Sequence, residues 1–194
     1  MKNIVLIGDS IRGGYQETVQ QELAGAAEVW GPEKNGGNTV NVLVHLHLWV
    51  LRRQPDLVHI NCGLHDLRTI FYGGRDNVVP VDHYRDNVER ILRTIHEQTQ
   101  ARIIWATTTP INEQKAHAAH AAAHDFDRFE ADVLAYNQAA TEVATGMGVP
   151  INDLYATVMQ AGRDECLTED GVHFTPAASA LLGRVVAAAI MKQL

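Results

Sequence analysis

The chain has few cysteines and few aromatic residues. Its 194 residues include only two cysteines, Cys62 and Cys166, and aromatic residues make up 6% of it. Two cysteines cannot build a disulfide framework, and their spacing is not that of metal ligands, so we expect free thiols. With 46% hydrophobic and 20% charged residues, the composition excludes disordered, collagen-like and disulfide-stapled chains. We expect a single globular domain over residues 1–194.

Long apolar runs and an excess of basic residues are also absent. The longest apolar run, residues 40–51, contains Asn41, His45 and His47, whereas a membrane-spanning helix needs about 20 apolar residues. The formal net charge is −7, and the Lys and Arg residues are scattered. The sequence therefore predicts neither a membrane nor a nucleic acid as a partner. No signal peptide precedes the apolar run at residues 4–7, which predicts a cytoplasmic protein if Met1 is the native start.

Short apolar runs alternate with longer segments of helical period. Strand candidates are residues 4–7, 57–60 and 103–106, with weaker ones at 28–30 and 149–151. Helical patterns cover residues 15–24, 40–53, 81–97, 126–146 and 177–192. This alternation predicts an α/β fold with three layers, α/β/α, around a mostly parallel sheet of about five strands. Ligands of such sheets bind outside the carboxyl ends of the strands.

A serine follows the first strand candidate, in the tripeptide Gly8-Asp9-Ser10. A nucleophilic serine needs such a position, where its hydroxyl is exposed and backbone N–H groups can point at an oxyanion. The alternative is an ordinary glycine-rich turn. The position at the end of a strand, more than the tripeptide itself, supports the hypothesis of a nucleophile.

A carboxylate and a histidine lie three residues apart near the other end of the chain. Asp170 could fix the tautomer of His173 and leave its other ring nitrogen free to take a proton from Ser10. The alternative is a surface loop before the last helix, which Pro176 can open. We therefore predict a triad of Ser10, Asp170 and His173.

Four sequence blocks together resemble those of the SGNH (GDSL-type) hydrolases. They are Gly8-Asp9-Ser10, Gly37-Asn38-Thr39, Gly63-Leu64-His65-Asp66 and Asp170-Gly171-Val172-His173. The stretches 84–88, 107–110, 136–137 and 152–155 are also similar to that family, so the resemblance spans nearly the whole chain. It implies an esterase or acylhydrolase on a flavodoxin-like sheet, with Ser10 as nucleophile, His173 as base and Asp170 as orienting carboxylate.

The resemblance also implies an oxyanion hole. Its donors would be the backbone N–H groups of Ser10 and Gly37 and the side chain at position 65, where the family has asparagine and this chain has His65. A neutral histidine can still donate one N–H, and the adjacent Asp66 could bias its tautomer. The alternative donors are the side chains of Asn38 and Asn61.

Further residues are candidates for contacting or supporting the substrate. They are Asp9, Arg12, Asn38, Asn61 and Asp66. For Arg12, two residues after the serine, a surface ion pair is an equal alternative.

Three histidines, His117, His120 and His124, are spaced to lie near one helical face. A metal site is one interpretation. A solvated alanine-rich helix or lid that follows the turn at residues 107–110 is favoured, because no carboxylate or cysteine completes a recognisable ligand set. We therefore predict no metal and no other cofactor.

The sequence as a whole predicts a serine hydrolase of carboxylic esters whose partner is a small-molecule ester. Polar residues after the strands and the lack of a long apolar lid favour removal of a small acyl group, such as acetyl, from a polar or carbohydrate alcohol. A thioesterase or lysophospholipase is an alternative. Another is a module on the same fold that binds an acylated ligand without turnover, or binds phosphate at residues 8–14.

Overall fold

The computed structural model describes residues 1–71, 75–120 and 126–194. The strands are β1 (Lys2–Ile7), β2 (Ala27–Trp30), β3 (Leu57–Asn61), β4 (Thr69–Ile70), β5 (Asp76–Asn77), β6 (Arg102–Ala106), β7 (Phe126–Asp127) and β8 (Ile151–Asn152). The helices are α1 (Ser10–Glu22), α2 (Thr39–Trp49), α3 (Val81–Gln98), α4 (Glu113–His120), α5 (Glu130–Gly146), α6 (Leu154–Ala161), α7 (Arg163–Cys166) and α8 (Pro176–Met191). A 3-10 turn, Leu51–Arg53, follows α2.

The central sheet has five strands in the order β2-β1-β3-β6-β8, and every neighbouring pair is parallel. This is the flavodoxin-like order, in which the direction of winding reverses between β1 and β3. Each of the five strands overlaps a strand candidate of the sequence, although β8 shares only Ile151 with the candidate at residues 149–151. The predicted α/β fold with a mostly parallel sheet is confirmed.

Helices pack in two groups around this sheet. Helix α1 packs against α8, whereas α3 packs against α5 and α2. Every residue of β3 is buried, as expected of a central strand covered by helices on both faces. Both cysteines, Cys62 and Cys166, are buried free thiols. Among the helices of the described residues, none combines the length and apolar character needed to cross a bilayer.

A second, antiparallel sheet has the order β5-β4-β7, and the sequence patterns do not predict it. The helix predicted for residues 126–146 is wrong at its start, because Phe126–Asp127 forms β7 and α5 begins only at Glu130. Strands of two residues are too short for any apolar alternation. They form because β4 lies between β5 and β7 and hydrogen-bonds to both.

Two glycines bring the loop before α2 against the end of β1. The N–H of Gly36 donates to the carbonyl oxygen of Gly8 over 3.0 Å. A Cβ atom on Gly36 would lie 2.5 Å from that oxygen, closer than real Cβ contacts allow. The loop can therefore approach the Gly8-Asp9-Ser10 turn only with glycine at position 36.

We expect Gly36→Ala to lower the free energy of unfolding by about 1–3 kcal/mol, because backbone atoms must move to admit the methyl group. Gly146→Ala is the matched control, since a Cβ there meets nothing within 4 Å. Urea unfolding of both variants measures the effect. Equal stabilities of the two variants would contradict the close approach.

Candidate active site

Ser10 lies where β1 passes into α1. Asp9 has an extended backbone, and its side chain accepts the N–H of Ile11 over 2.9 Å, which is the usual role of aspartate before a helix. Ser10 is the first helical residue, so its N–H is among those that have no acceptor within the helix. The side chain is partly exposed. The turn thus presents both a hydroxyl and a backbone donor at the carboxyl end of the strand.

The structure brings Ser10, His173 and Asp170 together. Ser10 Oγ lies 2.9 Å from His173 Nε2, and His173 Nδ1 lies 2.5 Å from Asp170 Oδ2. These are the contacts that the sequence predicted for a nucleophile, a base and an orienting carboxylate. The three side chains come from the two ends of the chain, since Ser10 and His173 are 163 residues apart in sequence.

Asp170 is held by several donors besides the His173 ring. Its Oδ1 accepts the N–H groups of Val172 and His173 and the hydroxyl of Thr168, at 2.7–3.0 Å. Burial raises the pKa of Asp170, but these hydrogen bonds and the one from the His173 ring outweigh it and hold the pKa well below its usual range. The carboxylate is therefore ionised at neutral pH and can stabilise a positive charge on the imidazole.

The Arg12 side chain is buried and bonded within the protein. The residue is only 4% exposed, and its guanidinium donates to the carbonyl oxygen of Pro32 over 2.8 Å and to Gln16 Oε1 over 2.6 Å. The expectation of a substrate contact or a surface ion pair is therefore wrong. Arg12 faces inward from α1 and anchors the loop that leads to Gly37.

Gly37 and Asn38 form the start of α2. Gly37 has a φ of +62°, a conformation that favours glycine, and its N–H donates to Oδ1 of Asn35 over 2.8 Å. The exposed Asn35 side chain thus occupies the predicted oxyanion donor in this structure. Asn38 caps α2 by accepting the N–H of Asn41 through Oδ1, which leaves its Nδ2 without an acceptor among the described residues.

Asp66 has a different role from the predicted one. Both of its oxygens accept the N–H of Thr39, at 2.9 and 3.1 Å, and Oδ1 also accepts the Thr39 hydroxyl at 2.5 Å. It therefore caps α2 and does not orient the His65 ring as predicted. Burial raises the pKa of Asp66 to about 6, although the bonds from Thr39 favour the ionised form.

His65 is partly buried beside two arginines. Burial lowers the pKa of its ring to about 3, and the charges of Arg68 and Arg128 act in the same direction. The ring is therefore neutral at neutral pH, with one N–H to donate. The described contacts include no hydrogen bond between the His65 ring and Ser10.

Asn61 is wrong as an alternative oxyanion donor. Its Nδ2 donates to the carbonyl oxygens of Ala106 and Thr107, at 3.3 and 2.9 Å, and the residue is 3% exposed. The amide therefore joins the ends of β3 and β6 inside the sheet edge. Of the two alternatives, only Asn38 retains an uncommitted amide.

The four supporting stretches hold the strand ends. The Tyr84 hydroxyl donates to the carbonyl oxygen of Cys62 over 2.7 Å, and Thr108 Oγ1 donates to the same oxygen over 3.3 Å. Asn137 accepts the N–H of Thr108 and donates to its carbonyl oxygen. Thr107 Oγ1 accepts the N–H of Tyr155. These contacts fix the turns that follow β3 and β6 beneath the site.

The histidine segment lies beside a carboxylate that the sequence analysis did not consider. His117 Nδ1 is 2.6 Å from Asp127 Oδ2, and His120 Nδ1 is 3.7 Å from Asp127 Oδ1. His117 and His120 lie in α4, in agreement with the predicted helix, and His124 lies outside the described residues. In the part of the chain that the structure describes, no group of three or more His, Cys, Asp or Glu residues could hold a metal ion.

Two arginines that the sequence analysis missed lie near the triad. Burial and the charge of Arg68 lower the pKa of Arg128 to about 10, and the carboxylates of Asp9 and Asp170 act in the opposite direction. Arg128 Nε donates to the carbonyl oxygen of Leu64, directly before His65. Sequence patterns do not single out Arg128, because it lies within the helix predicted for residues 126–146.

The sequence profile of the GDSL-like Lipase/Acylhydrolase family matches residues 6–181. This range includes all four sequence blocks, with Ser10 in the first and His173 in the last. Among curated proteins, none shows significant sequence similarity to the chain.

Solved structures share the fold over nearly the whole chain. A lipase/acylhydrolase from Enterococcus faecalis matches with a TM-score of 0.82 and 25% identity, covering 100% of this chain and 97% of that one. A GDSL-like lipase from Bacteroides thetaiotaomicron matches with a TM-score of 0.77 and 18% identity, over 100% and 89% of the two chains. An acetyl xylan esterase matches with a TM-score of 0.75 and 19% identity, over 97% and 99%.

We expect Asp66 to make stability depend on pH. Because its pKa is about 6 in the folded protein and 3.8 ordinarily, protonation of Asp66 stabilises the fold, and this pH-dependent stabilisation is fully present only below pH 3.8 and is lost as the pH rises through 6. The difference in unfolding free energy between the parent and Asp66→Asn should therefore fall by about 2 kcal/mol from pH 4 to pH 7. Urea unfolding across this range measures it.

Asp86→Asn, at an exposed aspartate of α3, is the control and should run parallel to the parent at every pH. A curve for Asp66→Asn that also runs parallel would contradict the raised pKa of Asp66.

Proposed function

The chain belongs to the GDSL-like lipase/acylhydrolase family and is an ester hydrolase; we propose that Ser10, His173 and Asp170 are its nucleophile, base and orienting carboxylate. The observation that carries the proposal is the continuous contact from Ser10 Oγ through the His173 ring to Asp170. Neither a phosphate-binding module nor a non-catalytic acyl-binding module would require this contact.

The proposed reaction has two halves. Ser10 Oγ attacks the ester carbonyl carbon as His173 Nε2 takes the hydroxyl proton, and Asp170 stabilises the resulting imidazolium. Collapse of the tetrahedral intermediate breaks the bond to the alcohol oxygen, which receives the proton from His173. A water molecule then attacks the acyl-serine in the same way and releases the acid. No metal ion or other cofactor has a role in these steps.

The negative charge of the tetrahedral intermediate needs donors beside Ser10. The Ser10 N–H at the start of α1 is one, and we assign the Gly37 N–H and the His65 ring as the others. Use of the Gly37 N–H requires the exposed Asn35 side chain to release it. A neutral His65 can donate without adding a charge to a site that already contains two arginines.

The proposed substrate is an ester of a small acyl group, such as acetyl, with a polar or carbohydrate alcohol. Support comes from two partly exposed groups near the triad, His65 and Arg68, because covering them with a long acyl chain would remove their hydration without replacing it. The acetyl xylan esterase shares the fold, and the polar surroundings are what favour a similar substrate class here.

We expect Ser10→Ala and His173→Ala each to lower the hydrolysis of 4-nitrophenyl acetate by about 10⁴-fold, because the triad acts as a unit. Ser10→Ala should also abolish covalent labelling by a fluorophosphonate probe, which mass spectrometry measures. Ser179→Ala, a serine of α8, is the matched control and should retain both activities. Substantial turnover or labelling in Ser10→Ala would show that another residue is the nucleophile.

We expect His65→Ala to lower kcat by about 10²- to 10³-fold with little change in KM, since an oxyanion donor acts mainly in the transition state. His65→Asn should recover part of the rate, because asparagine restores an N–H donor. Steady-state kinetics of the two variants with 4-nitrophenyl acetate test this. Near-normal turnover of His65→Ala would transfer the role to the amide of Asn38.

A further inference from the structure

Two arginines lie opposite each other at the paired ends of the neighbouring strands β4 and β7. In the pairing of β4 with β7, Thr69 lies opposite Asp127, so the next residues outward, Arg68 and Arg128, are also opposite. Like charges directly opposite on antiparallel strands destabilise a sheet. The arrangement therefore calls for something that compensates the repulsion.

Both guanidinium groups lie over the same aromatic ring. The Arg68 guanidinium carbon is 4.3 Å from the Phe126 ring centroid, and that of Arg128 is 5.1 Å from it. Phe126 is two residues before Arg128 in the strand direction, so the two side chains share one face of the sheet. The ring attracts each cation and fixes the pair at one place.

Within the described residues, most donors of the two arginine side chains have no acceptor. Arg128 is only 5% exposed, yet its Nε–H bond to Leu64 is the only side-chain hydrogen bond that it makes with the described residues. The buried Nε of Arg68 has no hydrogen-bond partner among those residues. Neither guanidinium forms an ion pair within the described ranges.

The carboxylates whose charges act on Arg128 are those of Asp9, Asp127 and Asp170, and each accepts hydrogen bonds from other donors. Asp170 accepts the His173 ring and the Thr168 hydroxyl, and Asp9 accepts the N–H of Ile11. Asp127 is paired with the His117 ring. These charges offset the two arginines from a distance, but none of them supplies an acceptor to their terminal N–H groups.

We propose that Arg68 and Arg128 form an anion-binding subsite beside the triad, and that the ester substrate carries a carboxylate or phosphate group that this subsite binds. The inference rests on the proposed function, because it places the subsite next to the reacting serine. Guanidinium groups match the oxygens of both anions. A small acyl group leaves the alcohol part of the ester to carry the charge.

The location of the subsite follows from the chain between its two arginines and the triad. Arg128 holds the carbonyl oxygen of Leu64, and the following residue, His65, is a proposed oxyanion donor. The charges of Arg68 and Arg128 also act on the His65 ring. An anion bound by the pair would therefore lie on the same side of the molecule as the ester bond.

The test compares acetate esters that differ only in charge. They are 4-acetoxybenzoate, 4-acetoxyphenyl phosphate and the neutral 4-acetoxybenzamide. The kcat/KM of each ester is divided by the rate constant of its hydroxide-catalysed hydrolysis, which corrects for differences in intrinsic reactivity. We expect kcat/KM to be about 10- to 100-fold higher for at least one anionic ester than for the amide, mainly through KM. The better of the two anions identifies the preferred group. A ratio near one for both would overturn the subsite.

Variants assign the preference to the two arginines. Arg68→Gln should bring the ratio close to one, and Arg68→Lys should retain part of it, because lysine keeps the charge but not the planar fork. Arg75→Gln is the matched control: Arg75 also stacks on a phenylalanine, 3.8 Å from the Phe129 ring centroid, but it is paired with Asp132. A ratio that Arg68→Gln and Arg75→Gln lower equally would overturn the assignment.

A binding measurement separates failure of the subsite from failure of the proposed function. Calorimetric titration with 4-hydroxybenzoate, 4-hydroxyphenyl phosphate and 4-hydroxybenzamide requires no turnover. If none of the esters is hydrolysed, the proposed function fails, and binding of an anion that is lost in Arg68→Gln still supports the subsite. If the esters are hydrolysed without a charge preference, the function stands and the subsite is refuted. Absence of both hydrolysis and anion binding refutes both.

Discussion

The Asp66 carboxylate accepts the N–H and hydroxyl of Thr39, and this contact joins the turn after β3 to the start of α2. Asn87 adds a donor to the same hydroxyl from α3. The contact fixes the Gly37 loop against residues 63–66, and Gly36 in turn lies against Gly8. Because three strand-end segments meet through this one buried group, the spacing of Ser10, Gly37 and His65 depends on it. The raised pKa of Asp66 reflects the energetic cost of burying its carboxylate between these segments.

The parts of the site that chemistry restricts most could be predicted from the sequence. A serine at the end of the first strand and an Asp-x-x-His pair before the last helix have few structural alternatives once a parallel sheet is expected, and the structure brings Ser10, Asp170 and His173 together. The five strands of the central sheet could be predicted as well, because buried parallel strands are continuous apolar runs. The family profile covers the same range of the chain.

The parts that depend on distant pairing could not be predicted. Arg68 and Arg128 meet because two strands of two residues pair, and such strands have no periodicity that a sequence pattern can show. Arg12, Asn61 and Asp66 have polar side chains near the site, which suggested contact with substrate. Each instead satisfies backbone groups that the close approach of the strand-end loops would leave unpaired. Whether a polar residue serves the scaffold or the ligand is decided by its partners, and its sequence position does not specify them.

The contact between α1 and α8 has a consequence for biosynthesis. Ser10 begins α1, and His173 lies just before α8, so these two side chains come together only when the last helix docks on the first. Gly183 lets the helices approach closely, since a Cβ there would lie 2.5 Å from Thr18. Domains are synthesised from the amino terminus, and the strands of the central sheet are complete at Asn152. A nascent chain can therefore assemble its sheet while it is still attached to the ribosome, but the contact between Ser10 and His173 can form only after the helix that follows His173 has emerged.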